Sequence, residues 1–242
     1  MEFNGTDAKE FEFFKNVDVS LLPEELNQTP INKATQFEMT QANIIANVPK
    51  RFFETTFNDI DKTLADKVKS FCLTQKSDRI FILFGNVGLG KTSAMAASIH
   101  ERKIKDMDCG LYYSIRFLMP TLRNCRSYSA QENELQFYKR LSEVSYLCLD
   151  EVGTCPVIAE EKEFLTTVLA ARFDNQLPTF IATNLSPYEF KFLITGVNSC
   201  DKTLEEQKVL CQKLDKESAI LNRIKSVAIP YILTGESYRT RG

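Results

Sequence analysis

The chain has 242 residues, of which 43% are hydrophobic and 26% are charged, and its formal net charge is −2. This composition is typical of one large globular domain, or of one domain with a short appendage. It excludes a globally basic nucleic-acid-binding protein, so any contact with DNA has to come from a local patch.

The cysteine content and the length of the apolar runs indicate the cellular compartment in which the protein works. The seven cysteines are odd in number and form no C-x-x-C pair, and the chain contains one histidine, which argues against a disulfide framework or a zinc site. No apolar run approaches the length of a membrane span, and Met1 to Asn4 lack the pattern of a signal peptide. We therefore expect a cytoplasmic protein with free thiols and no membrane partner.

The first stretch, residues 1–47, is an acidic and polar arm. Phe11, Phe13 and Phe14 cluster within it, and residues 8–15 can form a short helix with an aromatic face. The arm is too short for a core of its own, so it is either a flexible leader or a docking segment that becomes ordered on a partner. Residues 48–53 mark a boundary, and apolar residues at helical spacing predict a helix over residues 60–72.

Residues Gly85 to Thr92 spell G-x-x-x-x-G-K-T, the pattern of a P-loop. An apolar run at residues 79–84 predicts a buried parallel strand before the loop, and residues 93–104 predict a helix after it. Such a loop cradles phosphate groups at a helix N-terminus. Lys91 can reach the β- and γ-phosphates of ATP, and the Thr92 hydroxyl can bind Mg²⁺. The predicted nucleotide-binding residues are Gly85, Asn86, Val87, Gly88, Leu89, Gly90, Lys91, Thr92 and Ser93. His100 lies in the following helix and is expected to be a packing or surface residue.

The remainder of the chain alternates between strand and helix patterns. We predict strands over residues 111–115, 146–149, 179–183 and 227–233, and helices over residues 117–124, 130–140, 161–174, 204–214 and 217–224. Alternation of this kind predicts an α/β fold, with a parallel sheet covered by helices on both faces.

The strand at residues 146–149 is followed directly by Asp150 and Glu151. In P-loop ATPases an aspartate at the end of a strand lies beside the Mg²⁺ that the loop threonine binds, which assigns Asp150 to the metal. Glu151 can orient the attacking water or accept its proton, so the pair favours hydrolysis over binding alone. Asn184 follows the next strand and can hold the same water. On their chemistry alone, Arg223 and Arg239 would be solvated arginines.

Together these motifs resemble the DnaC/DnaI-like replicative helicase loaders, a branch of the AAA+ ATPases close to the IstB-type transposition ATPases. The matching elements are the V-P-x-R-F entry at residues 48–52, the P-loop, residues 149–153, 182–184 and 221–224, and the ending G-E-S-Y-R at residues 235–239. They occur in the order of the family and cover roughly residues 48–241, which implies an AAA+ domain over residues 48–242. Residues 195–213 form a longer segment than the family pattern suggests.

The resemblance implies roles that chemistry alone does not. Asn184 becomes the sensor-I residue, Arg223 the arginine finger that acts on the ATP of a neighbouring subunit, and Arg239 the sensor-II arginine. Residues 1–47 become a docking arm for a hexameric DnaB-type helicase. Single-stranded DNA is the second expected ligand, and arginines interleaved with aromatic residues suit it. The candidate DNA contacts are Arg116, Phe117, Arg123 and Arg126.

The resulting hypothesis is an ATPase that loads a replicative helicase onto single-stranded DNA. An IstB-type transposition ATPase, which acts with a transposase, is the nearest alternative. A P-loop small-molecule kinase and a nucleotide-switched interaction protein with negligible turnover are the other classes. The adjacent Asp150 and Glu151, together with a C-terminal arginine, speak against the kinase.

Overall fold

The computed structural model describes residues 45–74, 79–154, 158–197 and 204–235. Most of the predicted docking arm, together with Arg239, lies outside the described residues. Five strands form one sheet: β1 (Ile80–Gly85), β2 (Leu111–Ser114), β3 (Leu147–Val152), β4 (Thr179–Thr183) and β5 (Ala228–Leu233). They run parallel to one another in the order β2-β3-β4-β1-β5. The predicted α/β fold with a parallel sheet is therefore confirmed.

Eight α-helices connect or flank the strands within the described residues. They are α1 (Lys62–Cys72), α2 (Lys91–Ile104), α3 (Ile115–Cys125), α4 (Glu134–Glu143), α5 (Ala159–Asp174), α6 (Pro187–Thr195), α7 (Leu204–Glu217) and α8 (Ala219–Val227). A linker with two short 3-10 helices, Lys50–Phe52 and Phe57–Asp59, precedes α1.

The sheet separates two hydrophobic cores, as the alternation of β1 illustrates. Ile82 packs with residues of α3, α4, α5, α6 and α8. Leu83 packs on the opposite face with α1, α2 and linker residues that include Val48. Burial on both faces explains why β1 is apolar throughout. Because parallel strands end at the same edge, the segments that follow β1, β3 and β4 lie close together.

Two helices differ most from the prediction. The helix predicted over residues 130–140 begins at Glu134, because the Asn133 side chain caps it by accepting a hydrogen bond from the backbone N–H of Gln136. The helix α6 was not predicted, although Ser186 and Glu189 form a capping box around a proline at its first position.

His100 and five cysteines of the described residues are packed in the core. His100 is 1% exposed, and its Nδ1 lies 2.6 Å from the backbone oxygen of Thr55, so of the two predicted roles, packing and surface, it has the packing role. Burial lowers the pKa of His100. Cys72, Cys109, Cys125, Cys148 and Cys211 are buried thiols. Burial raises the pKa of Cys148 to about 12, which makes it a poor nucleophile.

Among the described helices, none combines the length and the apolar content that crossing a bilayer requires.

Candidate functional site

The P-loop connects β1 to α2, in the predicted order of strand, loop and helix. Gly88 and Gly90 both have φ of 85°, in the left-handed region that glycine adopts without strain. Gly90 is the N-cap of α2, which begins at Lys91. The backbone N–H groups of the first helical turn therefore lie where the loop ends, an arrangement suited to phosphate.

Lys91 is 8% exposed, and its side chain is folded back onto its own loop. The Nζ atom donates hydrogen bonds to the backbone oxygens of Gly85 at 2.6 Å and Asn86 at 2.7 Å. The ammonium group is therefore held at the P-loop by the backbone of the loop itself.

Asp150 is 2% exposed, and its carboxylate is held from three sides. The Thr92 hydroxyl donates to Oδ2 at 2.6 Å, and the Tyr112 hydroxyl donates to the same atom at 2.8 Å. The backbone N–H of Glu151 donates to Oδ1 at 2.8 Å. The structure thus brings together Thr92 and Asp150, the two predicted metal ligands. Their oxygen atoms are the hard ligands that Mg²⁺ prefers, so the residues fit this ion.

Tyr112 is a site residue that the sequence reasoning missed. It lies on β2, the edge strand of the sheet, and its hydroxyl reaches Asp150 because β2 pairs with β3. Burial, followed by the negative charge of Asp150, raises the pKa of Tyr112 well above its usual value. The phenol is therefore a permanent hydrogen-bond donor at physiological pH.

The strand β3 extends through Asp150 and Glu151 to Val152, whereas the sequence pattern predicted its end at residue 149. Leu149 pairs with Ile181 but Val152 pairs with Thr183, so β3 carries one extra residue at this point. Glu151 has φ of 56°, which costs a non-glycine residue roughly 1–3 kcal/mol. A bulge of this kind changes the direction in which a side chain points. Here it makes the side chains of Glu151 and Asp150 point in different directions.

The Glu151 carboxylate is paired with a residue predicted to contact DNA. Its Oε2 lies 3.3 Å from Nε of Arg116, and the two side chains are 39% and 65% exposed. An exposed pair of this kind contributes roughly 0.2–1 kcal/mol. It is weak enough to be displaced by water, by a nucleotide or by another anion.

Asn184 and Arg223 lie in different places: Asn184 follows the end of β4, whereas Arg223 contacts the end of α5, before β4 begins. Asn184 directly follows β4, between the ends of β1 and β3, and is half-buried. Arg223 lies within α8, about one turn before this helix ends at Val227, whereas the predicted helix ended at residue 224. Its NH1 lies 3.4 Å from Oδ2 of Asp174, and its guanidinium lies over the ring of Phe173. With the side chain 46% exposed, Arg223 is accessible on the surface.

The remaining DNA candidates form intramolecular contacts. Arg123 donates from Nε to Glu161 at 2.6 Å, and Arg126 forms two hydrogen bonds with Glu134. Phe117 is 60% exposed. It lies on the rim of a groove of about 350 Å³ between the linker residues 47–53 and the end of β2.

A sequence profile of the IstB-like ATP binding proteins matches residues 4–242 of this chain. The replicative helicase loader DnaI of Bacillus subtilis (strain 168) is 26% identical over 228 residues, which are 89% of this chain and 68% of the relative. A crystal structure of DnaI is similar with a TM-score of 0.56 and 20% identity, over 77% of this chain and 94% of that one. The DnaC helicase loader is similar with a TM-score of 0.55 and 14% identity, over 77% of this chain and 100% of that one. At these identities the solved structures show a shared fold.

Proposed function

The chain belongs to the family of IstB-like ATP-binding proteins, and we propose that it is an ATPase that loads a hexameric DnaB-type replicative helicase onto single-stranded DNA. The observation that carries this proposal is its similarity to a replicative helicase loader over most of its length. The resemblance of its motifs to the DnaC/DnaI-like loaders supports the same reading. The ATP-binding family and the fold support ATP binding at the P-loop.

We propose that Lys91 leaves the carbonyls of Gly85 and Asn86 to contact the β- and γ-phosphates of ATP. Thr92 and Asp150 would bind Mg²⁺, which neutralises charge on these phosphates when it is bound. Their hydrogen bond keeps the hydroxyl proton of Thr92 directed at Oδ2, so its lone pairs are available to the metal. Gly90 and Ser93 supply backbone groups at the helix terminus.

Hydrolysis would proceed by attack of water on the γ-phosphorus, with cleavage of the bond to the β–γ bridging oxygen. The Glu151 carboxylate first leaves its ion pair with Arg116. It then orients this water and accepts a proton from it. Asn184, which follows the neighbouring strand β4, would help to hold the water. In the proposed assembly, Arg223 of a neighbouring subunit and Arg239 of the same subunit stabilise the charge on the transferred group.

This division of the site between subunits makes ATP a switch for assembly. ATP binding would favour an oligomer that grips single-stranded DNA near Arg116, Phe117, Arg123 and Arg126, and hydrolysis would release it. Residues 1–47 would bind the helicase. All of these steps would take place in the cytoplasm.

Deletion of the arm tests the docking role. The deletion should stop at residue 44, because Ala46 and Val48 are 0% and 5% exposed in the core under the linker. We expect the truncated protein to bind ATP normally and to lose the stable complex with its cognate replicative helicase in size-exclusion chromatography. Retention of that complex at unchanged affinity would contradict the docking assignment.

The family match favours one second candidate, a transposition ATPase of the IstB type that acts with a transposase. The two functions differ in the DNA they need. A loader should show higher ATP turnover with single-stranded DNA and should bind the helicase, whereas a transposition ATPase should respond to duplex DNA and bind a transposase.

A further inference from the structure

We propose that Tyr112 is a positioning residue for the Asp150 carboxylate, and that its hydroxyl sets the affinity of the nucleotide site for Mg²⁺. This inference rests on the proposed function, in which Asp150 and Thr92 bind the metal. It concerns a residue on β2, outside the motifs that identify the site.

The hydrogen bonds of Asp150 define the role. Each carboxylate oxygen accepts about two hydrogen bonds or metal contacts. Thr92 and Tyr112 both donate to Oδ2, at 2.6 and 2.8 Å, and the N–H of Glu151 donates to Oδ1 at 2.8 Å. Three of the four positions are then filled, and the remaining one is on Oδ1. Tyr112 thereby leaves Oδ1 as the oxygen that is open to a metal ion or to a water bound to it.

The position of Tyr112 follows from the sheet. Tyr112 pairs with Cys148 on β3, two residues before Asp150. Side chains alternate along a strand, so Cys148 and Asp150 start out on the same face as Tyr112. Two residues span about 6.6 Å of a strand, a distance that the phenol ring and its hydroxyl can cover. At 5% exposed, the ring is fixed by packing and cannot follow Asp150 if the carboxylate rotates.

Loss of the hydroxyl should therefore weaken metal binding while the ring keeps the core filled. In the Tyr112→Phe variant, Oδ2 retains the hydrogen bond from Thr92, but the carboxylate gains freedom to turn. Removal of a group that orients a metal ligand typically lowers metal affinity about 10- to 100-fold. Because Thr92 still orients the carboxylate, we expect the lower end of this range, roughly tenfold.

Tyr113→Phe is a matched control, because it removes the neighbouring phenol hydroxyl on the same strand. Tyr113 packs in the opposite core, and its hydroxyl accepts a hydrogen bond from Arg140.

The experiment measures the Kd of the full chain for the ATP analogue AMPPCP, with EDTA and with saturating Mg²⁺. The ratio of the two values reports the coupling between metal and nucleotide and does not depend on turnover. Asp150→Asn serves as the reference for loss of the metal ligand.

Tyr112→Phe should lower this ratio roughly tenfold, with an unchanged Kd in EDTA, whereas Tyr113→Phe should match the wild type. An unchanged ratio in Tyr112→Phe, with a reduced ratio in Asp150→Asn, would overturn the role of Tyr112 and leave the proposed function intact. An equal loss with and without Mg²⁺ would also overturn it, since the tyrosine would then support the site only structurally. If Asp150→Asn left the ratio unchanged, the metal assignment of the proposed function would fail, and the role of Tyr112 with it.

Discussion

Replacement of Lys91 by alanine should weaken ATP binding by an amount that follows from the position of its ammonium group. In the structure this group donates to the backbone oxygens of Gly85 and Asn86. A hydrogen bond that involves a charged group contributes about 1.5–3 kcal/mol. Binding exchanges two bonds to neutral carbonyls, at the lower end of this range, for two contacts with charged phosphates, at the upper end. The net contribution is about 3 kcal/mol, or roughly 100-fold in Kd for ATP.

A nucleotide series measured by isothermal titration calorimetry separates this contact from general damage to the loop. ATP, ADP and AMP carry successively fewer of the phosphates that Lys91 is proposed to reach. The variant should lose most affinity for ATP, less for ADP, and almost none for AMP. Lys105→Ala is the control, because it removes the same charge just beyond the far end of α2, at an exposed position. Equal losses for ATP and AMP, or an unchanged affinity for ATP, would refute the reasoning.

Three further predictions concern catalysis, assembly and stability. Glu151→Gln should retain ATP affinity but lower kcat at least about 100-fold, as expected for loss of a general base, and normal turnover in a phosphate-release assay would remove Glu151 from the mechanism. Lys91→Ala and Arg223→Ala should each be inactive alone, yet a mixture should recover turnover because one variant supplies the arginine and the other the ATP site; no recovery would contradict action between subunits. Burial lowers the pKa of His100, so the unfolded chain takes up the proton first, and stability present above about pH 6.5 should fall at lower pH. Between pH 7.5 and 5.5, the free energy of unfolding measured with urea should fall by at most about 1.4 kcal/mol per pH unit. This fall should be absent in His100→Gln. The same pH dependence in both proteins would refute the role of His100.

The features that could be predicted from the sequence are those set by neighbouring residues. The P-loop and the helix that begins at Lys91 follow from glycine spacing and helix propensity, which act over a few positions. The helix α6 was not predicted, but it too is set by neighbouring residues and could have been predicted. Its Ser-Pro-x-Glu start, with Ser186 as the N-cap, was present in the sequence.

The features that could not be predicted depend on which strands are neighbours. The bulge that turns Glu151 into the left-handed region arises from the register between β3 and β4. The contact of Tyr112 with Asp150 depends on β2 lying beside β3, and the pair of Arg116 with Glu151 depends on the start of α3 lying near the end of β3. Apolar patterns identify strands but leave their order and register open. The Asp-Glu pair was therefore identified, whereas its supporting residues were not.

Delivery of the helicase onto single-stranded DNA under control of ATP can be measured with a closed circular single strand. Fluorescently labelled cognate helicase would be mixed with the circle, with the full chain and with ATP, and the helicase bound to DNA would be counted after gel filtration. We predict that bound helicase rises only when the chain and ATP are both present, and that the Lys91→Ala variant gives no rise. Equal amounts of DNA-bound helicase with and without the chain would contradict the proposed role as a helicase loader.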